Sequence, residues 1–171
     1  IDINSGVRTQ RYLQSLVSAL DVDNVALLDY TGKALYATSN SIFESVSEKQ
    51  AIASAMANNP VAVITCIHEM VIVTTAGKVS TENGDNCILV LQELISSDKF
   101  LGEYAQLLDC DLTIFVGDKR VASTMVDASG RSMAGTKIAN QEILDTVYKN
   151  NEIYLGLIES DGLKYFGQYA P

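Results

Sequence analysis

At 171 residues, with 47% hydrophobic and 19% charged residues, the chain has apolar material for one large or two small packed domains and lies far from disordered compositions. Its net charge of −9 and its scattered lysines and arginines, with Lys119-Arg120 the nearest approach to a cluster, argue against nucleic acid or an anionic membrane surface as partner.

Three cysteines, Cys66, Cys87 and Cys110, form no CxxC pair and accompany a single histidine, His68. No metal or cofactor is therefore expected. Cys66 and Cys87 fall in two apparent strands and can pair in an oxidising compartment, with buried free thiols as the alternative. No apolar run is long enough to span a membrane and no signal peptide opens the chain. A start without Met and an end at Tyr169-Ala170-Pro171 fit a fragment excised from something longer.

Leu13, Leu16, Val17 and Leu20 recur at helical spacing, so an amphipathic helix is predicted up to Leu20. Val25 to Tyr30 and Ala34 to Ala37, around Thr31-Gly32-Lys33, read as a hairpin. Ser47 with Gln50 forms a capping box for a helix carrying Ala51, Ile52, Ala55 and Met56, stopped by Asn58-Asn59-Pro60. Strands follow at Val61 to Ile67, Met70 to Thr75 and Cys87 to Leu94, the last two separated by the polar loop from Ser80 to Asn86. Helix, hairpin, helix and three strands is the element order of a PAS-like module with an antiparallel sheet.

The order then partly repeats. Ser96 or Ser97 caps a helix bearing Phe100, Leu101, Tyr104, Leu107 and Leu108. Strands are predicted at Leu112 to Val116 and Arg120 to Met125, joined at Gly117-Asp118. Asn140 caps a helix with Ile143, Leu144, Val147 and Tyr148. Two more strands, Ile153 to Ile158 and Leu163 to Tyr169, flank Ser160-Asp161-Gly162. The fold class is thus α+β, two PAS-like modules, each an antiparallel sheet with flanking helices, with an N-terminal helix leading in. Their bounds are 1–96 and 97–171, and the segment from Asp111 to Tyr169 is expected to curl into one sheet.

The second half contains Asp111-Leu112-Thr113-Ile114-Phe115-Val116-Gly117-Asp118-Lys119-Arg120-Val121-Ala122-Ser123-Thr124, then Gly135-Thr136-Lys137, Tyr154-Leu155-Gly156 and Tyr165-Phe166-Gly167-Gln168-Tyr169-Ala170-Pro171. This ordered run resembles the Cache sensor family, over Leu101 to Pro171. The first half resembles the distal module of a double-Cache domain by element order and by its Asp29-Tyr30-Thr31-Gly32-Lys33 turn. The resemblance implies an extracytoplasmic sensor between two membrane helices, usually in a methyl-accepting chemotaxis receptor and sometimes in a histidine kinase or cyclic-dinucleotide enzyme. It also implies a further strand after Pro171, and a homodimer in the full receptor.

In that family the inner face of the sheet lines a cavity for a small, often carboxylate-bearing ligand. Arg120 starts a strand on such a face, and its guanidinium fork suits a carboxylate; pairing with Asp118 to hold the turn is the alternative. Thr124 follows on the same strand. Lys137 is a second cation that can close on an anion, or a solvated lysine ahead of the Asn140 helix. Tyr154 and Tyr169 are candidates to wall the pocket, and alternation sets Tyr165 and Tyr169 on one face and Phe166 on the other. Phe166 is expected in the core. The expected ligand set is Arg120, Thr124, Lys137, Tyr154 and Tyr169.

In the first half Tyr30, Tyr36, Thr65, His68 and Thr74 are the polar-capable residues near strands. His68 reads as a turn or surface residue, Lys33 sits in a turn and Lys49 on an exposed helix face, so an anion pocket there has little support. Enzyme chemistry is not expected. His68 lies in a different half from Ser123 and Ser132, Asp109 and Asp111 carry no mark of a catalytic pair, and the stretch from Gly130 to Gly135 is no phosphate loop. The alternatives to a ligand sensor are a ligand-free dimerisation or protein-interaction module, for which the opening helix supplies an interface, and a cytoplasmic PAS-type regulator.

Overall fold

The opening apolar spacing forms α1 (Gly6–Leu20), in a computed structural model that describes residues 6–38, 46–81, 84–160 and 162–171. The chain divides into two units, Ile1–Ile95 and Ser96–Pro171. In the first, α1 is followed by β1 (Asn24–Leu28), β2 (Ala34–Ala37), α2 (Val46–Met56), β3 (Ala62–Ile67), β4 (Met70–Ser80) and β5 (Asn86–Leu94). The strands form one antiparallel sheet in the order β2-β1-β5-β4-β3, an α+β arrangement of Cache/PAS-like type.

β1 is buried at all five positions because its alternate residues enter two different cores. Ala26 and Leu28 pack with Ala51, Ile52 and Ala55 of α2 and with Ala76, Ile88 and Val90. Val25 and Leu27 pack with Leu13 of α1 and with Cys87. The two helices therefore cover opposite faces, and each fully buried Leu or Val contributes roughly 1.5–3 kcal/mol.

β4 runs further than its sequence pattern suggests. Ala76, Gly77 and Lys78 are poor strand formers, yet each pairs in register with β5, Gly77 opposite Leu89. A long neighbouring strand overrides local propensity. His68 and Glu69 occupy the β3–β4 turn with φ of 48° and 69°, the geometry of a two-residue hairpin, so His68 is a turn residue. The Ser47 cap falls among side chains outside those described. The three cysteines are free. Cys66 lies opposite Val71 and Cys87 opposite Val79, at opposite ends of β4, so the strand rise keeps them roughly 26 Å apart, beyond any disulfide. Only Cys87 is buried; Cys66 and Cys110 are exposed, unlike the buried thiols considered from sequence.

The second unit opens with α3 (Asp98–Leu108), capped by Ser97, whose hydroxyl accepts from the Phe100 N–H at 3.1 Å. The hairpin of β6 (Thr113–Val116) and β7 (Lys119–Ser123) follows. Asn140 then caps a single turn, α4 (Gln141–Leu144), accepting from the Glu142 N–H. The next turn, Asp145–Lys149, is wound as a π-helix where an ordinary helix was predicted. A second hairpin, β8 (Tyr154–Ser160) and β9 (Leu163–Tyr169), completes the unit.

These two hairpins form separate two-stranded sheets, which corrects the single curled sheet expected between Asp111 and Tyr169. Hairpins close through local turns, whereas joining them needs a non-local partner strand. In the first unit β5 is that partner, standing between β1 and β4; no described strand of the second unit occupies the corresponding place.

One turn recurs in both units. Asp29 Oδ1 accepts from the Thr31 N–H, the Thr31 hydroxyl and the Lys33 N–H at 2.8, 2.6 and 3.0 Å. Asp127 Oδ1 accepts from the Ser129 N–H, the Ser129 hydroxyl and the Arg131 N–H at 2.8, 2.6 and 3.0 Å. The spacing Asp-x-Thr/Ser-Gly-Lys/Arg is legible in the sequence twice, although only the first copy drew notice there.

Candidate functional site

Arg120 is the second residue of β7, on a strand whose alternate positions Arg120 and Ala122 are buried. A bulge after Ile114 sets Phe115 of β6 opposite Arg120. The two side chains therefore share a face, and the guanidinium carbon stands 5.1 Å from the Phe115 ring centre.

A strap from Met133 to Ile138 runs along the open side of β7. Arg120 donates its N–H to the Thr136 carbonyl at 2.8 Å and accepts from the Gly135 N–H at 2.7 Å. Gly135 has φ of 87°, a conformation that favours glycine. Buried Met133 and Ile138 anchor the strap. The Arg120 Nη1 donates to Thr136 Oγ1 at 2.9 Å and to the Lys137 carbonyl at 3.1 Å. Thr136 Oγ1 is oriented for this by donating to the Met133 carbonyl at 2.7 Å.

Arg120 is only 5% exposed, its Nε is buried without a hydrogen-bond partner, and among the described residues no carboxylate forms an ion pair with it. Asp118, the partner considered from sequence, instead accepts from the Lys137 Nζ at 2.8 Å in an exposed pair. The β6–β7 turn is held from the other side by Tyr148, on the π-turn, whose hydroxyl donates to the Gly117 carbonyl. Burial, and then the Asp118 carboxylate, push the Tyr148 phenol above its ordinary value.

From Arg120 the site continues through aromatic rings. Phe115 meets Tyr169 at 5.6 Å between ring centres, and Tyr169 meets Tyr154 edge-on at 6.3 Å. The three rings pack on Ile138, Ile143 and Val147. Gly156 and Gly167 face each other across β8 and β9. A Cβ on Gly167 would stand 2.6 Å from Ile158 Cδ1, so this pair of glycines makes room for the side chains that lean over the inner face.

Of the residues expected to bind ligand, the fold brings Arg120, Tyr154 and Tyr169 together, with Phe115 as the link sequence reasoning missed. Its signal was the two-residue turn Gly117-Asp118, from which the hairpin counts Val116 opposite Lys119 and Phe115 opposite Arg120. Lys137 contributes its backbone carbonyl, while its ammonium turns to Asp118. Thr124 lies at the other end of the hairpin, donating its hydroxyl to Asp111 and accepting from the Leu112 N–H, both at 2.9 Å. Phe166 is not in the core: it stands on the outer face of β9, 72% exposed, because Tyr165, Gly167 and Tyr169 take the inner face.

The first unit offers a different surface. An apolar recess of about 270 Å³ lies over β4 and β5, lined by Pro60, Thr75, Ala76, Gly77, Val79, Leu89 and Leu91 and carrying no charged group. On the opposite face Asn24, Gln92 and Thr74 form a buried polar ladder across β1, β5 and β4. Asn24 Nδ2 donates to Gln92 Oε1 at 2.9 Å and Gln92 Nε2 to Thr74 Oγ1 at 3.2 Å. Lys33 and Lys49 are exposed, and neither lines the recess. Among the described residues no group of His, Cys, Asp and Glu is placed to hold a metal ion, and no helix is long and apolar enough to cross a membrane.

Residues 92–171 match the family model described as Single cache domain 3. The chain is similar to the extracellular domain of a protein described as a histidine kinase, rpHK1S-Z16, at 15% identity and a TM-score of 0.51, over 91% of this chain and 68% of that one. This likeness is one of fold. A likeness to the sensor domain of the zinc-responsive histidine kinase CzcS from Pseudomonas aeruginosa has 16% identity and a TM-score of 0.34, over 42% of this chain. The chain spans 60% of the length of that domain. No curated protein matches.

Proposed function

We propose that this chain, whose second unit carries a Cache-type sensor module, is the extracytoplasmic ligand-sensing part of a transmembrane receptor, and that it binds a small carboxylate-bearing molecule at Arg120. The reading rests on one observation above all: an arginine that is 5% exposed and whose guanidinium lacks a carboxylate partner among the described residues. A buried cation without a counter-charge is costly, and an anionic guest would offset that cost with charge-assisted hydrogen bonds. Arg120 can offer it Nε and Nη2, the two nitrogens that none of its described hydrogen bonds engages.

In this reading Tyr169 and Tyr154 wall the site beside Phe115, and Lys137 stands at its rim, released from Asp118 when an anion binds. Thr124 is left out, since its hydroxyl closes the far end of the hairpin. Residues 1–96 act as the membrane-distal module and 97–171 as the proximal one, in a receptor that works as a homodimer. A guest that ties β7 to the strap and the π-turn favours one arrangement of the unit over another, which is all a receptor needs. Such a site serves a histidine kinase as well as a chemotaxis receptor.

The test is calorimetric titration of the chain with small mono- and dicarboxylates. The variant Arg120→Ala is expected to bind the acidic ligand more weakly by about 1.5–3 kcal/mol. Unchanged affinity in a variant that keeps its fold would remove Arg120 from the site.

A further inference from the structure

The first unit leaves part of one sheet face uncovered. α1 lies over β1 and β2, with Leu13, Leu16 and Val17 packed on the sheet. Val79, Leu89 and Leu91 join the same apolar cluster from β4 and β5, which sets the recess beside α1 and not on the face of α2. Thr75 and Gly77 share that face with Val79 by alternation along β4.

Gly77 is what keeps the recess open. A Cβ on Gly77 would meet no atom within 4 Å, so close packing does not demand a glycine. Nor does Gly77 take a positive φ, so the backbone does not demand one. The position lies within β4, opposite Leu89, where a larger side chain would add cross-strand packing that glycine forgoes. Pro60 leaves the neighbouring side open. Continued past Ala62 and Thr75, the register of β3 on β4 would bring Pro60 level with Gly77. Pairing instead starts at Ala62, and proline has no N–H to carry it further. A glycine inside a strand often marks the close approach of another group to the backbone. Local choices that forgo stability are concentrated at functional sites.

Size and chemistry select the guest. The volume of about 270 Å³ lies between a cavity that holds benzene, roughly 150 Å³, and the pocket of a drug-sized ligand, roughly 300 Å³ or more. Among the described residues no charged side chain lines the recess, and Thr75 supplies its one hydroxyl. A carboxylate would lose hydration there without gaining a cation. The floor is bare strand, which aromatic rings cover in other sheets. Seven described residues line the recess, against about 20–30 on each side of a stable protein interface, so it is too small to seat a second copy.

We infer that this recess is a second ligand site, separate in chemistry from Arg120, for a small uncharged aromatic molecule that lies flat on Gly77 with a polar group toward Thr75. Thr75, Gly77, Val79, Leu89 and Leu91 are only half-buried, so the guest keeps one side in water. Affinity is therefore weak, with a dissociation constant on the order of 0.1–1 mM.

Amide NMR of the isotopically labelled chain, titrated with benzyl alcohol, tests this. Saturable shifts are expected at Thr75, Gly77 and Leu89. Benzoate, similar in size but anionic, is expected to bind there at least about tenfold more weakly. Gly77→Val, which fills the floor, weakens benzyl alcohol binding by more than about tenfold, and Gly77→Ala by about threefold. Both variants hold or raise the urea midpoint, since glycine is the poorest of the three in a strand. A lower midpoint in both would show that the fold itself requires glycine there and would overturn the inference. Shifts that fail to saturate, benzoate binding as tightly, or unchanged affinity in Gly77→Val overturn it as well. Shifts at these amides that follow protein concentration without any probe overturn it in favour of contact between copies.

Discussion

Asp29 and Asp127 each gather three donors onto one carboxylate oxygen, and that arrangement ties local turn chemistry to acid stability. The Thr31 hydroxyl and the Lys33 N–H hold Asp29 below its ordinary value of 3.8. The Ser129 hydroxyl and the Arg131 N–H lower Asp127 further. Asp145, beside Lys149 and Gln141, is lowered as well. Between these native values and 3.8 the unfolded chain binds more protons than the folded one. The stabilisation is therefore complete above 3.8 and is lost as the pH falls through it toward the native values. The urea midpoint is expected to drop as pH is lowered from about 5 to 3. In Asp127→Asn the drop is expected to be shallower; an unchanged slope would show that this carboxylate does not set the acid limb. Arg120 presents a different case, since its buried side chain has no carboxylate partner among the described residues and its surroundings must supply the compensation.

Within the elements, the ladder of Asn24, Gln92 and Thr74 accounts for the register of the first sheet. These side chains lie on three adjacent strands, and Thr38 extends the row by donating to Asn24 Oδ1 at 2.7 Å. A slip of one residue would turn the polar groups to the other face and leave them without partners. Gln92→Ala is expected to cost about 2–3 kcal/mol in urea unfolding, because the freed Asn24 and Thr74 groups remain buried. A cost below about 0.5 kcal/mol would show that water satisfies them. The π-turn is the element least anticipated. One extra residue in that turn presents Tyr148 to Gly117, a tertiary contact that helical spacing alone does not encode.

Across the whole molecule the two units differ in how their strands are supported. β1 and β5 lie inside a five-stranded sheet with a helix packed on each face, whereas each strand of the second unit is paired with a single other strand, β7 being bonded also to the strap. Isolated two-stranded ribbons are marginal and depend on packing at one face. Amide hydrogen exchange is therefore expected to be slowest at Ala26, Leu27 and Val90, and faster by about a hundredfold or more along β8 and β9. Equal protection in both hairpins and in β1 would contradict that ranking. A saturating anionic ligand at Arg120 is expected to slow exchange in β7 and in the strap while leaving β1 unchanged.

Helices, hairpins and caps followed from residues close in sequence: the 3.6-residue spacing before β1, the Gly-containing turns, and Ser97 and Asn140 each bonding an N–H two or three residues on. These are local interactions, so a single sequence contains them. Arg120 was legible as a candidate because it follows the Gly117-Asp118 turn on a strand whose inner face, by the family resemblance, lines a ligand cavity. Its lack of a carboxylate partner among the described residues, its ring contact with Phe115 and its bonds to the strap depend on segments brought together only by folding. The same holds for β4 beyond Thr75, for the separation of Cys66 from Cys87 and for Phe166. Alternation along a strand separates two faces but does not say which one the rest of the chain will cover. Only the packing of α4 and the π-turn onto Tyr154, Ile158 and Tyr169 decided that, leaving Leu157 and Phe166 to the outside.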